Sequence, residues 1–174
     1  MSAIEISKII HMLESSREEV IAAARSVPEA QASAKPAPGR WSALDCVEHI
    51  AAVETRLLGR LASAERLAES RVDPEKEAKL AAMVADRSAR ANAPEPVRPN
   101  GRFTSVEQAL DHFTMVRSRT VQFAEERGAD LYLLAGQHPR FGALNGAEMI
   151  VFIAAHGRRH AEQIREIADA APAE

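Results

Sequence analysis

The 174-residue sequence is poor in cysteine and in aromatic residues: Cys46 is alone, there is one tryptophan and one tyrosine, and aromatics make up 4%. A single cysteine excludes an internal disulfide and a thiolate-rich zinc knuckle. No apolar run approaches the roughly 20 residues that span a bilayer, so no membrane association is expected. Basic residues do not dominate either. The formal charge of −3 and the pI near 6.1 leave no positive field for holding nucleic acid. The first twenty residues carry acids and lack an apolar stretch with a small-residue cleavage site. No signal peptide is therefore expected, and the expected location is cytoplasmic.

What remains is rich in helix formers. Hydrophobic residues make up 46%, and alanine, leucine, isoleucine, arginine and glutamate are abundant, residues that lose little freedom in a helix. The length suits a single domain over residues 1–174, large enough to bury a core.

From about Ser2 to Val27, the residues Ile6, Ile9, Ile10, Leu13, Val20, Ile21 and Ala24 recur at three- and four-residue steps and predict a first helix, which Pro28 stops. A proline- and alanine-rich loop follows. Ser42 is a good N-cap for a second helix, with Asp45 at its third position and Trp41 placed to staple against Cys46 or a neighbour. Its apolar stripe is Cys46, His49, Ile50, Val53, Leu57 and Leu61, and the pattern runs to about Ser70.

The charged run after Pro74 predicts a more exposed helix. The proline-rich NAPEPVRPNGRF predicts an extended connector inside one domain. Thr104 or Ser105 caps a third long helix, with Val106, Ala109, Leu110, Phe113, Val116, Thr120 and Phe123 turned inward and Gly128 as its stop. The stretch ADLYLLAGQHPRFGALNG reads as a connection with one short helical turn. Asn145 and Glu148 then form a cap and acid pair ahead of a last helix. That helix has Met149, Phe152, Ile153, His156, His160, Ile164 and Ile167 on one stripe. Without strand alternation or a repeat, the fold class is all-α, one bundle.

Function is concentrated in three histidines. A lone histidine on an apolar stripe is more often a hydrogen-bonded core residue than a ligand. His156 and His160 lie four apart on an inward face, a spacing that lets two imidazoles grip one metal ion. His49, about 10 Å past its helix cap at 1.5 Å per residue, can supply a third ligand from another helix. His11 and His112 fall off their stripes and are expected at the surface. His138, before Pro139, is expected on a loop in a structural or rim role.

Cys46 reads as a small buried hydrophobe. Gln163, three after His160, can orient a ligand or a bound molecule, or make a hydrogen bond across the bundle. Three imidazoles without a thiolate suit zinc, nickel, iron or cobalt and leave a coordination position open. Gly157 stands where a zincin protease has its general-base glutamate, and repeated Glu-x-x-His motifs are missing. Both the protease and the di-iron readings fail on that spacing.

The segments GRWSALDCVEHIAAVE, APEPVRPNGRFTSVEQALDHFTMVRSR and QHPRFGALNGAEMIVFIAAHGRRHAEQI cover most of Arg40 to Ile167. In that order they resemble the DinB-like (DinB/YfiT) superfamily. The specific parts are the W-S-x(6)-H start and the closing H-x-x-x-H-x-x-Q-I. The resemblance implies a four-helix bundle with a long proline-rich crossover between helices 2 and 3. It also implies metal ligands at His49, His156 and His160, for a divalent metal that is zinc or nickel first, with iron, cobalt or manganese as alternatives.

Members of that superfamily include transferases and isomerases that use low-molecular-weight thiols such as bacillithiol or mycothiol. The first functional expectation is therefore an enzyme that activates such a thiol for transfer to a small-molecule electrophile. The sequence offers no obvious carboxylate beside the histidines, which favours thiol chemistry over a hydrolase acting through metal-bound hydroxide. A third reading is a non-catalytic metal-binding or stress-related protein. A homodimer is expected in each case, because two-fold pairing is the commonest assembly.

Overall fold

The structure, a computed structural model, describes residues 3–69, 71–89 and 92–170. In chain order its elements are α1 (Ala3–Arg25), α2 (Ala43–Ala62), α3 (Pro74–Ala85), α4 (Val106–Arg127), β1 (Ala135–His138), β2 (Gly142–Asn145) and α5 (Gly146–Ala170). Helices α1 and α2 each pack against both α4 and α5, which makes the four-helix bundle; α3 belongs to the long crossover and lies against α5. No described helix is long and apolar enough to cross a membrane.

Local chemistry sets the helix ends. The Asp45 N–H donates to Ser42 Oγ at 3.1 Å and the Ser42 N–H donates to Asp45 Oδ2 at 3.0 Å, a reciprocal cap that satisfies two otherwise orphaned donors. Asn145 and Glu148 repeat the arrangement ahead of α5, with both bonds at 2.9 Å. Ser105, not Thr104, caps α4, and Gly128 ends it at φ 49°, a conformation that a β-carbon disfavours.

Three features differ from the sequence-based expectation. Helix α2 stops at Ala62, well before Ser70, which itself lies outside the described residues. The chain beyond it leaves the helix because its backbone pairs with the end of a 3-10 turn and the first residue of β1: the Leu67 N–H donates to Leu133 O at 2.7 Å and the Ala135 N–H to Glu65 O at 2.8 Å. Second, the connection before α5 holds a 3-10 turn over Gly128–Leu133 and an antiparallel β1–β2 hairpin, with Ala135 opposite Asn145. Strands of four residues are too short to display a period of two, and Gly142 turns the hairpin at φ 71°.

Third, α5 has no exposed face in its first half. Every residue from Gly146 to Gly157 is buried, because α1, α2 and α3 all pack around it. Helix α3 is largely exposed as expected, and holds to α5 through Leu80 and Val84.

The core divides into two apolar clusters. One gathers Leu13, Leu57, Leu61, Ile150 and Ile153; the other gathers Val20, Val47, Ile50, Phe113 and Ile164. A polar layer separates them. Arg117, fully buried, donates from Nε and Nη2 to both oxygens of buried Glu54 at 2.8 and 2.9 Å, and from Nη1 to Leu13 O at 2.6 Å. Gly157 of α5 meets α1 at this level. A β-carbon there would stand 2.4 Å from Ser16 Oγ, so the close crossing of α5 over α1 needs a glycine. The sequence gap that ruled out a protease glutamate therefore has a packing cause.

Candidate metal centre

His49 projects from α2, and His156 and His160 project from α5 one turn apart, into one buried group. Their possible ligand atoms all lie within 4.8 Å of one another. The Nε2 atoms of His156 and His160 are 3.1 Å apart. The rings of His49 stand 5.1 and 4.9 Å from those of His156 and His160. All three side chains are withdrawn from solvent, with 5%, 9% and 6% of their surface exposed in chain order.

The outer nitrogens determine where the protons sit. His49 Nδ1 lies 2.7 Å from Val97 O, and a carbonyl only accepts, so Nδ1 carries the hydrogen and Nε2 presents a lone pair. His160 Nδ1 lies 2.9 Å from Gln163 Oε1. Arg87 Nη1 also donates to that oxygen, at 3.4 Å, and an arginine cannot accept, which supports its assignment as the amide oxygen. His160 therefore also turns an Nε2 lone pair toward the other rings.

Burial is the first cause that holds all three imidazoles below the usual histidine range. For His156 and His160 the neighbouring rings add to it, whereas the Val97 bond partly opposes it at His49. The rings are thus neutral near pH 7, the form that binds metal. A tetrahedral site with metal–nitrogen bonds of about 2.0–2.1 Å has nitrogens roughly 3.3 Å apart, close to the His156–His160 spacing. The donor set fits a divalent cation.

Aromatic walls enclose the group. Trp41 lies 4.6 Å from the His49 ring and 5.9 Å from that of His160, and it packs against the apolar cluster that includes Cys46 and Val47. Phe152 stacks on His156 at 5.6 Å and 16°. His138, on β1, sits behind Phe152 at 4.3 Å, one ring removed from the group, and does not join it.

His11 is exposed as expected. His112 is not a free surface residue: it is partly buried, its ring 5.3 Å from Phe103. Cys46 is fully buried and stands outside the histidine group; burial pushes its thiol up, so it stays protonated.

The crossover contributes what sequence reasoning missed. Val97 O comes from a 3-10 turn over Glu95–Val97 that Pro94 and Pro96 favour, and Arg87 follows α3. Arg159 donates to Val84 O at 3.5 Å, to Asp86 O and to Ala89 O at 2.9 Å, tying the end of α3 to α5 beside the histidines. A backbone carbonyl leaves no side-chain signature. The paired arginines of HGRRH were the one visible signal. Arg159 acts electrostatically on both His156 and His160, and Arg87 on His160.

No functionally curated protein matches this chain in sequence. Among solved structures, YfiT from Bacillus subtilis, described as a probable metal-dependent hydrolase with an unusual four-helix bundle topology, aligns with a TM-score of 0.62. The alignment covers 97% of this chain and 89% of that one at 14% identity, which shows a shared fold. The model of the DinB superfamily matches residues 12–164, a span that takes in α2 and α4 whole, most of α1 and α5, and the three histidines, and the chain belongs to that superfamily.

Proposed function

We propose that this protein is a metal-dependent enzyme in which His49, His156 and His160 hold a divalent metal, zinc or nickel first, and that it activates a low-molecular-weight thiol for transfer to a small electrophile. The observation that carries this reading is the histidine group itself. It consists of three buried neutral imidazoles, two with their lone pairs aimed inward by hydrogen bonds on the far nitrogen, and it contains no carboxylate.

A divalent metal bound there lowers the pKa of a coordinated thiol or water. The chain's own residues do the rest. Val97 O and Gln163 hold two rings in orientation. Trp41 and Phe152 keep bulk water off the histidines. Arg159 adds positive potential that favours an anionic nucleophile or substrate. In the transfer, sulfur forms a bond to the electrophilic centre, the displaced group leaves with its electron pair, and the thiol proton passes to solvent. No protein base is needed for that sequence, in keeping with a histidine group that, among the described residues, includes no acidic side chain.

A second reading, a metal-dependent hydrolase, draws support from the likeness to YfiT and from the open three-histidine donor set. Cobalt-substituted protein separates the two. Thiol transfer predicts that at least one of a panel of small biological thiols shifts the visible cobalt bands. No response to any thiol, together with turnover of activated esters that His156→Ala abolishes, would favour the hydrolase instead.

A further inference from the structure

We infer that a cleft beside the histidine group is a binding site for the carboxylate of a small, partly apolar molecule, with Arg40 receiving the carboxylate and Trp41 the apolar body. The cleft measures about 230 Å³ and lies between the segment Pro36, Ala37, Arg40 and Trp41 on one side and Gln163 and Ile167 of α5 on the other. Drug-sized ligands fill pockets of about 300 Å³ and upward, so this one suits a ring or short chain with a single polar head.

Its charge is the discriminating feature. Glu166 also lines the cleft; both of its oxygens are taken by Arg87, at 2.8 and 2.5 Å, and Arg40 acts on the same carboxylate electrostatically without a hydrogen bond, so the three groups together leave one positive charge. Arg40 is left over. Its backbone N–H donates to Ala37 O at 3.0 Å, while among the described residues its guanidinium has neither an ion pair nor a hydrogen bond. The net character of the cleft is one unpaired guanidinium beside an indole and aliphatic walls. A planar fork of donors matches a carboxylate with two parallel bonds, and the apolar wall rewards a ligand that buries hydrocarbon.

The cleft is coupled to the histidines through shared walls. Trp41 lines it and also lies 4.6 Å from the His49 ring; Gln163 lines it and holds His160 Nδ1. As the place where a substrate's carboxylate is recognised, the cleft rests on the metal-enzyme reading above. As a binding site, it does not require a metal.

Trp41 is the only tryptophan, so its fluorescence reports on the cleft directly. The probes are cyclohexylacetate and the neutral cyclohexylacetamide, titrated into chelator-treated and zinc-loaded protein. We expect a saturable change with the carboxylate in both forms, with affinity about tenfold or more above the amide. Arg40→Gln should remove that preference and Arg40→Lys retain part of it, with helical circular dichroism and zinc content as in wild type.

Equal affinity for both probes, an unchanged preference in Arg40→Gln, or no saturable response up to about 10 mM would each overturn the assignment. Zinc content is measured independently. A protein that prefers the carboxylate but takes up no metal would therefore refute the metal-enzyme reading and leave the cleft standing, and the converse result would do the reverse.

Discussion

His160 points one ring nitrogen at Gln163 Oε1, 2.9 Å away, and the other at His156 Nε2, 3.1 Å away, so a single stretch of α5 carries two candidate ligands and the group that orients one of them. The relationship makes Gln163 a positioning residue. In Gln163→Leu the imidazole is free to rotate or change tautomer, and metal affinity should fall by about 10- to 100-fold. Competition against a chromophoric chelator measures this. Affinity equal to wild type would mean that the hydrogen bond has no part in holding the ring.

The Glu54–Arg117 pair predicts an asymmetry between single and double replacement. Both groups are buried and mutually satisfied. Glu54→Leu strands the guanidinium in the core and should cost about 3–5 kcal/mol in urea denaturation, whereas Glu54→Leu with Arg117→Met should recover most of that loss. A double variant no more stable than the single one would show that the cost comes from packing and not from an unpaired charge.

The two reciprocal caps should differ in strength. Ser42→Ala removes one hydrogen bond to the start of α2, at about 1 kcal/mol. Asn145 does more, because its Nδ2 also donates to Arg71 O at 3.1 Å and so ties the crossover to α5. Asn145→Ala is expected to lower the melting temperature further than Ser42→Ala; the opposite order would contradict the tie.

Glu77 predicts a pH effect. Burial, with Glu148, Glu5 and Asp73 nearby, raises its carboxyl above the ordinary 4.5, and the Tyr132 hydroxyl beside it opposes the shift only in part. The folded state therefore binds this proton more tightly than the unfolded chain does, and the protein loses stability as pH rises through 4.5 toward the higher folded value. Glu77→Gln should melt above wild type at pH 7, and the gap should close below about pH 4. A variant that melts below wild type at pH 7 would show that the charged form is favoured by the fold.

Much of this architecture was legible in the sequence because it is written in local chemistry. Ser42 with Asp45 and Asn145 with Glu148 mark two helix starts, Gly128 marks an end, and the stripes of α1, α2 and α4 carry a helical period. The four-spaced histidines pointed to α5 in the same way. What stayed hidden depends on partners distant in the chain. Helix α2 ends at Ala62 because residues near Leu133 compete for the following backbone. His49 is oriented by the Val97 carbonyl, 48 residues away, and Gly157 is needed because Ser16 lies opposite it. Periodicity within one helix carries no information about such encounters.

The central claim is that His49, His156 and His160 hold a divalent metal, and metal analysis of protein purified without a chelator or histidine tag tests it most directly. Wild type is expected to carry one zinc or nickel ion per chain, and the His49→Ala, His156→Ala, His160→Ala triple variant essentially none. If both carried equally little metal after zinc, nickel and iron had been offered, the site would not be a metal centre.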